Sequence, residues 1–153
     1  MAASEKIIKI LATGFGSGLS PFAPGTMGTL VGIPVCLVCL PITLPERFVV
    51  VIVLSALSIF ISGRAEIIYS KKDDQRIVID EIAGFQVAML PVAITGWHLC
   101  VAFVLFRIFD IWKPFPIRNL QNLPGGWGVV IDDIAAGIYA GVIMLALNYA
   151  GII

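Results

Sequence analysis

The sequence predicts an all-α fold: a single integral membrane domain over residues 1–153, built as a small polytopic helical bundle with an N-terminal amphipathic helix and a broken, re-entrant hairpin. Three observations predict it. The first is composition: of 153 residues, 59% are hydrophobic and 13% charged, against roughly 45–50% apolar and about 25% charged in an ordinary soluble domain. A soluble fold this small leaves too much of its chain exposed to hide that surface. The second is segregation of charge: residues 10–45, 48–63, 82–106 and 134–153 carry none. The third is the placement of helix breakers, which interrupt the apolar runs at Gly14–Gly28, Pro34, Pro41, Pro91 and Gly96.

Residues 5–13 fit a short amphipathic helix, with Lys6 and Lys9 beside isoleucines, suited to lie at a membrane surface. Met1 to Ile10 has no signal-peptide hydrophobic region, so nothing is expected to be cleaved. The stretch GFGSGLSPFAPGTMG, Gly14 to Gly28, is too broken for a spanning helix and too apolar for an ordinary linker. Such backbone is tolerated at a membrane only where protein or water satisfies its polar groups. Residues 29–44 and 48–63 form the first two candidate spans, joined by a polar turn at Pro45-Glu46-Arg47. At 16 residues each they would reach roughly 24 Å, short of a hydrocarbon core of about 30 Å.

Residues 64–81 form a hydrophilic connection with four Lys/Arg, and 107–118 holds three more. A single crossing by 82–106 would put these basic segments on opposite sides, against the positive-inside tendency. Its 25 residues are too few for two full spans, which need about 40. A re-entrant hairpin turning near Pro91–Gly96 resolves the conflict, with both basic segments and the N-terminus facing the cytoplasm. Residues 107–131 are polar and aromatic, and 134–152 form the last span.

Ten basic residues balance ten acidic ones, so no basic excess exists to bind nucleic acid. Cys36, Cys39 and Cys100 lie in charge-free stretches and read as apolar packing, not as a metal or redox site. His98, the one histidine, lies in an apolar run and reads as structural or interfacial. No G-x-S-x-G motif is present. The remaining routes to phosphate hydrolysis are a metal-activated water or an Asp nucleophile.

Two acidic pairs stand out. Asp80-Glu81 precedes the 82–106 segment, and Asp132-Asp133 precedes the last span. Each fits a carboxylate matched to a helix N-terminus; together with Asp110 they also fit a site. Neighbouring helical residues point about 100° apart, so one member of each pair would aim at a common point. Clustered Asp and Glu without His or Cys suit a hard cation such as Mg²⁺. In Arg107-Ile-Phe-Asp110-Ile-Trp-Lys113, the charged positions share a helix face. They read either as an interfacial ion-pair ladder or as a phosphate clamp, with Asp110 orienting Arg107 or joining the metal site. Gly14, Gly16 and Gly18, with Ser17, Ser20 and Thr26, could offer backbone N–H groups to an anion.

Four blocks in order carry a resemblance: Gly16-Ser-Gly-Leu-Ser-Pro-Phe-Ala-Pro-Gly-Thr26, Ile77-Val-Ile-Asp-Glu-Ile-Ala-Gly84, Phe106-Arg-Ile-Phe-Asp-Ile-Trp-Lys-Pro-Phe-Pro-Ile-Arg118 and Gly125-Gly-Trp-Gly-Val-Val-Ile-Asp-Asp-Ile-Ala-Ala-Gly137. Together they resemble the signature blocks of the phosphatidylglycerophosphatase A family. The resemblance implies a Mg²⁺-dependent lipid phosphatase of the bacterial inner membrane. Such an enzyme would convert phosphatidylglycerophosphate to phosphatidylglycerol and inorganic phosphate in phospholipid biosynthesis. By position, Asp80, Glu81, Asp132 and Asp133 match the family's acidic motifs, and Arg107, Asp110 and Lys113 its R-x-x-D-x-x-K block. On that basis Mg²⁺ is expected on Asp80 and Asp132, with Glu81 and Asp133 as further ligands or as the base that activates water. Asp110 is expected in a catalytic role. Arg107 and Lys113 are expected on the phosphate, with Ser17, Gly18 and Thr26 also on the substrate side. Motifs of CDP-alcohol transferases are absent, and histidine-dependent lipid phosphatases need two functional histidines. A small transporter or channel subunit with an acidic ion site is the alternative from another class; it would want acids inside the spans.

Overall fold

The computed structural model describes residues 3–153, and among these every regular element is helical. Helix α1 (Ala3–Ala12) is followed by a 3-10 turn (Ser17–Leu19), α2 (Pro24–Val38), α3 (Leu44–Tyr69), α4 (Ile79–Met89), α5 (Gly96–Trp112), the single turn α6 (Ile117–Leu120) and α7 (Gly126–Tyr149). α7 is the axis of the bundle and packs against α3, α4, α5 and α6; α4 lies between α2, α3, α5 and α7. α3 and α7 are long and apolar enough to cross a membrane. α3 turns Phe48, Val49, Ile52, Val53 and Phe60 outward.

Helix ends depart from the sequence reading where charge was used to place them. α2 begins at Pro24, inside the glycine-proline stretch, and ends at Val38. Proline is favourable in a first helical turn, where its missing N–H is not needed. Pro45-Glu46-Arg47 is likewise the first turn of α3 and not a free turn: Thr43 N–H donates to Glu46 Oε2 (2.6 Å) and the Thr43 side chain accepts from Glu46 N–H, forming a capping box, with the Thr43 hydroxyl also donating to Glu46 Oε2 (2.7 Å). α3 then runs through Arg64 and Glu66 for 26 residues, about 39 Å, which removes the shortfall in span length. α7 begins at Gly126, so Asp132 and Asp133 sit about two turns inside it.

The 82–106 segment is a hairpin, as expected. α4 ends at Met89, residues 90–95 break the helix around Pro91, and α5 restarts with Thr95 Oγ1 accepting from His98 N–H (3.2 Å). Phe85, early in α4, meets Phe103 and Phe106, late in α5, with ring centroids 6.5 and 6.3 Å apart. The two helices are therefore antiparallel, and the hairpin returns to the end it left. Arg47 seals the break: its guanidinium donates to Val92 O (3.0 Å) in the connection and to Met89 O (2.6 Å) at the end of α4, a carbonyl that also accepts from Val92 N–H (3.4 Å).

Glycine sets the α4–α7 approach. A Cβ on Gly84 would come within 2.6 Å of Asp133 O and 2.7 Å of Phe106 Cε2, and one on Gly137 would collide with Gly84 O. Small residues that let backbones touch are a common device of membrane helix pairs. Here the device brings the start of α4 beside the acidic turn of α7.

Candidate active site

One polar cavity of about 210 Å³ lies at the end of the bundle where α4 begins and α5 ends. Its walls include Pro24 and Gly25 from α2, Asp73 and Gln75 from the 70–78 loop, Asp80 and Glu81 from α4, Arg107 and Asp110 from α5, Lys113 just past it, and Asp132 and Asp133 from α7. A larger, open apolar groove lies towards the other end, between Phe48, Val87 and Leu145, and holds no ionisable group.

Six carboxylates face two cations in the polar cavity. The basic residues are already committed. Arg107 Nη1 donates to Asp110 Oδ2 (2.5 Å), Lys113 Nζ donates to Asp132 Oδ2 (2.5 Å), and Lys113 also lies 3.9 Å from Asp110 Oδ1. Residues 107, 110 and 113 thus share a face, as their spacing predicts. Lys113 takes a left-handed backbone (φ 47°) at the C-terminal end of α5, an uncommon conformation for a non-glycine residue. Burial pulls the Lys113 ammonium towards neutrality, but Asp132, Asp133 and Asp110 outweigh it and hold its pKa above the ordinary value.

Asp80, Glu81 and Asp133 each place one carboxylate oxygen within 4.8 Å of the others. Asp133 is 3% exposed and Asp80 6%. Asp80 Oδ1, Glu81 Oε2 and Asp132 Oδ1 are buried without a hydrogen-bond partner. Unpaired buried anions are costly, and the local cations do not balance them. A hard divalent cation binds oxygen at about 2.0–2.6 Å, so a single ion spans the spacing of the three oxygens. The donor set fits Mg²⁺.

The 70–78 loop is held rigidly at the cavity mouth. Asp74 accepts from Arg76 Nε (2.7 Å), Nη2 (2.9 Å) and N–H (3.1 Å), and Asp73 N–H donates to Glu66 Oε1 (2.7 Å). The Arg76 side-chain bonds pull the Asp74 carboxyl from 3.8 to about 2. A depressed carboxyl pKa stabilises the fold above the unfolded value and ceases to do so as pH falls through the folded one. Loop protection from protease should therefore hold above pH 3.8 and fail as pH falls to about 2. In Asp74→Asn this acid step should disappear and the loop should be cut faster at neutral pH; an unchanged acid step would contradict the role of the pair.

The glycine run spends its donors locally and does not meet the expected anion-binding role. Gly16 N–H and Gly18 N–H both donate to Thr13 O, Ser17 N–H donates to Gly14 O, and Ser17 Oγ to Thr13 O. Those donors close the end of α1 and are not presented to an anion, so Ser17 and Gly18 lie outside the cavity. Gly18 is instead buried against Arg76 O and Val78. Thr26 also lies outside the cavity wall, one residue past Gly25. The expectation that one member of each acidic pair faces the common point fails for the first pair, where Asp80 and Glu81 both do. In the second pair Asp133 joins them, whereas Asp132 is held by Lys113. Asp73, Gln75, Pro24 and Gly25 were not read from the sequence as site residues. Asp132 and Asp133 lie inside α7, a helix long and apolar enough to cross a membrane, which is where a transporter would also want acids.

Residues 10–148 match the model of the family described as phosphatidylglycerophosphatase A. A Bacteroides thetaiotaomicron protein named "Putative phosphatidylinositol-3-phosphatase" is 37% identical over 148 residues, covering 92% of each chain. An Escherichia coli K12 protein named phosphatidylglycerophosphatase A is 36% identical over 142 residues, covering 92% of this chain and 83% of its own. A Haemophilus influenzae protein of the same name is 37% identical over 145 residues, covering 93% and 89%. No solved structure matches. The matched region contains every ionisable residue of the cavity. With the family matched nearly end to end and the acids gathered at one point, the assignment is direct: this chain belongs to the phosphatidylglycerophosphatase A family and is a phosphatase.

Proposed function

We propose that the protein hydrolyses the terminal phosphomonoester of phosphatidylglycerophosphate, giving phosphatidylglycerol and inorganic phosphate for phospholipid biosynthesis, with Mg²⁺ as cofactor. We place it in the bacterial inner membrane as a multi-pass protein with its site on the cytoplasmic face. The observation that carries this reading is the convergence of Asp80, Glu81 and Asp133 oxygens within 4.8 Å, beside Arg107 and Lys113. Lipid chains must stay in the bilayer while the phosphate reaches a charged site. A cavity where spanning helices meet loops meets both needs.

Asp80, Glu81 and Asp133 are the proposed cation ligands, which replaces the Asp80–Asp132 pair expected from sequence. Bound there, Mg²⁺ would supply Lewis-acid polarisation of a phosphoryl oxygen and lower the pKa of a water. Asp132 holds Lys113, and Asp110 holds both Arg107 and Lys113, so the two cations are oriented before substrate arrives. The empty Cβ position of Gly25 is flanked by Glu81 Oε1 and by Arg107 Nη1, 3.1 Å away. That spacing leaves no room for a side chain between Glu81 and Arg107; Arg107 would meet a phosphoryl oxygen from the cavity side, and Glu81 or Asp133 would take the proton of the attacking water. The first α2 backbone bond runs from Met27 N–H to Ala23 O. The N–H groups of Gly25 and Thr26 remain as donors at a helix N-terminus, where anions are stabilised. Thr26 enters the reading through its backbone.

The Bacteroides relative's name points to a second lipid phosphomonoester, an inositol lipid carrying a 3-phosphate. The chemistry at the phosphorus is the same, and only the headgroup differs. Purified protein should release phosphate from phosphatidylglycerophosphate at least about tenfold faster than from phosphatidylinositol 3-phosphate, a headgroup discrimination within the usual range. A chelator should stop release, and added Mg²⁺ should restore it. Faster release from the inositol lipid would overturn the substrate, and full activity under chelation would overturn the cofactor.

A further inference from the structure

A second cavity, of about 550 Å³, lies between the end of α1, the loop after it and the end of α3. Two cations from different segments meet there on one ring: Arg76 Cζ is 3.9 Å and Lys9 Nζ 5.7 Å from the centre of Tyr69. Arg76 uses Nε and Nη2 on Asp74, which leaves Nη1 for an anion. The lining also includes Ile10, Phe15 and Leu19, with Phe15 75% and Leu19 62% exposed. Phe15 holds a left-handed backbone (φ 58°) between Gly14 and Gly16, also left-handed. A phenylalanine thus stands where glycine would be less strained, with its ring turned outward.

We propose that this cavity seats the headgroup of an anionic membrane phospholipid distinct from the one being hydrolysed. Lys9 and Arg76 meet its phosphate, and Ile10, Phe15 and Leu19 cover the start of its chains. Charge complementarity selects the anion, and the exposed apolar wall selects a lipid over free phosphate, which would leave that wall in water. The inference rests on the membrane placement of the bundle and not on the substrate. It gives the 70–78 loop two faces: Asp73 and Gln75 line the catalytic cavity, whereas Arg76 lines this one. A lipid bound here would brace the loop at the mouth of the active site.

The test uses the full chain in phosphatidylcholine vesicles with a Leu19→Trp reporter, its signal taken as the difference from the unmodified chain. Quenching is compared for brominated-chain lipids carrying a phosphoglycerol or a phosphocholine headgroup at equal mole fraction. The anionic lipid should be preferred on the order of tenfold, since each cation near a membrane surface contributes about fivefold and Asp74 offsets part of Arg76. Lys9→Gln with Arg76→Gln should abolish the preference. Lys9→Gln alone leaves the Asp74–Arg76 pair in place, should lower the preference about fivefold, and carries the test if the double variant does not fold. Inorganic phosphate should not displace the lipid. Equal quenching by the two lipids, a preference unchanged in Lys9→Gln, or displacement by phosphate alone would each overturn the proposal. Phosphate release, measured in parallel, reports separately on the catalytic reading.

Discussion

Asp133→Asn should lower kcat about a hundred- to a thousandfold, the scale of losing a principal electrostatic contact in a transition state, while the bundle stays folded in detergent. Asp80→Asn should do the same. Both residues are nearly fully buried, and their oxygens lie with Glu81 around one point. An amide keeps the shape but removes the charge that a divalent cation needs. Without metal, each substitution relieves repulsion among crowded carboxylates, so thermal stability should hold or rise. With metal, the native protein should gain stability by mass action, as any ligand that binds only the folded state confers, and the variants should not. A variant that loses activity and apo stability together would mark a structural residue. One that keeps activity would remove that residue from the site.

Gly137→Val should be nearly as damaging, by a different route. A Cβ there collides with Gly84 O and lies 2.9 Å from Val87 Cβ, so α4 and α7 must separate. Overpacking a tight contact costs about 1–3 kcal/mol. A displacement of about 1 Å in a catalytic group costs on the order of a hundredfold in rate, and the helices that separate are those carrying Asp80, Glu81 and Asp133. Gly141→Ala, one turn further along α7, is the control. Its Cβ would meet Val87 O at 3.4 Å, an ordinary contact, so stability and rate should change little. Equal effects at positions 137 and 141 would show that close approach at Gly84 is not what assembles the site.

Residue type and order made the helical class and most of the site legible in the sequence. The charge-free stretches locate α2, α3, the α4–α5 hairpin and α7, and the R-x-x-D-x-x-K spacing puts Arg107, Asp110 and Lys113 on one face. Helix ends were less legible because charge is a poor marker of them. Arg64 and Glu66 continue α3, and Asp132 sits inside α7, where Lys113 partners it. The G-x-G-x-G run was misleading for a local reason: the carbonyls of Leu11, Thr13 and Gly14 consume the N–H groups of Gly14, Gly16, Ser17 and Gly18. Asp73 was hidden in a Lys-Lys-Asp-Asp run that reads as solvated loop, and only the Asp74–Arg76 and Glu66 contacts turn it to the cavity. Which members of the acidic pairs converge depends on the Gly84–Gly137 contact, which fixes the register between α4 and α7 and has no counterpart in spacing along the chain.

In the proposed site Asp80, Glu81 and Asp133 together hold one divalent cation. Titration of the purified full chain with Mn²⁺, followed by electron paramagnetic resonance, tests it without reference to turnover. Binding should be saturable, displaced by Mg²⁺, and lost in both Asp80→Asn and Asp133→Asn. Binding of undiminished affinity in both variants would contradict it.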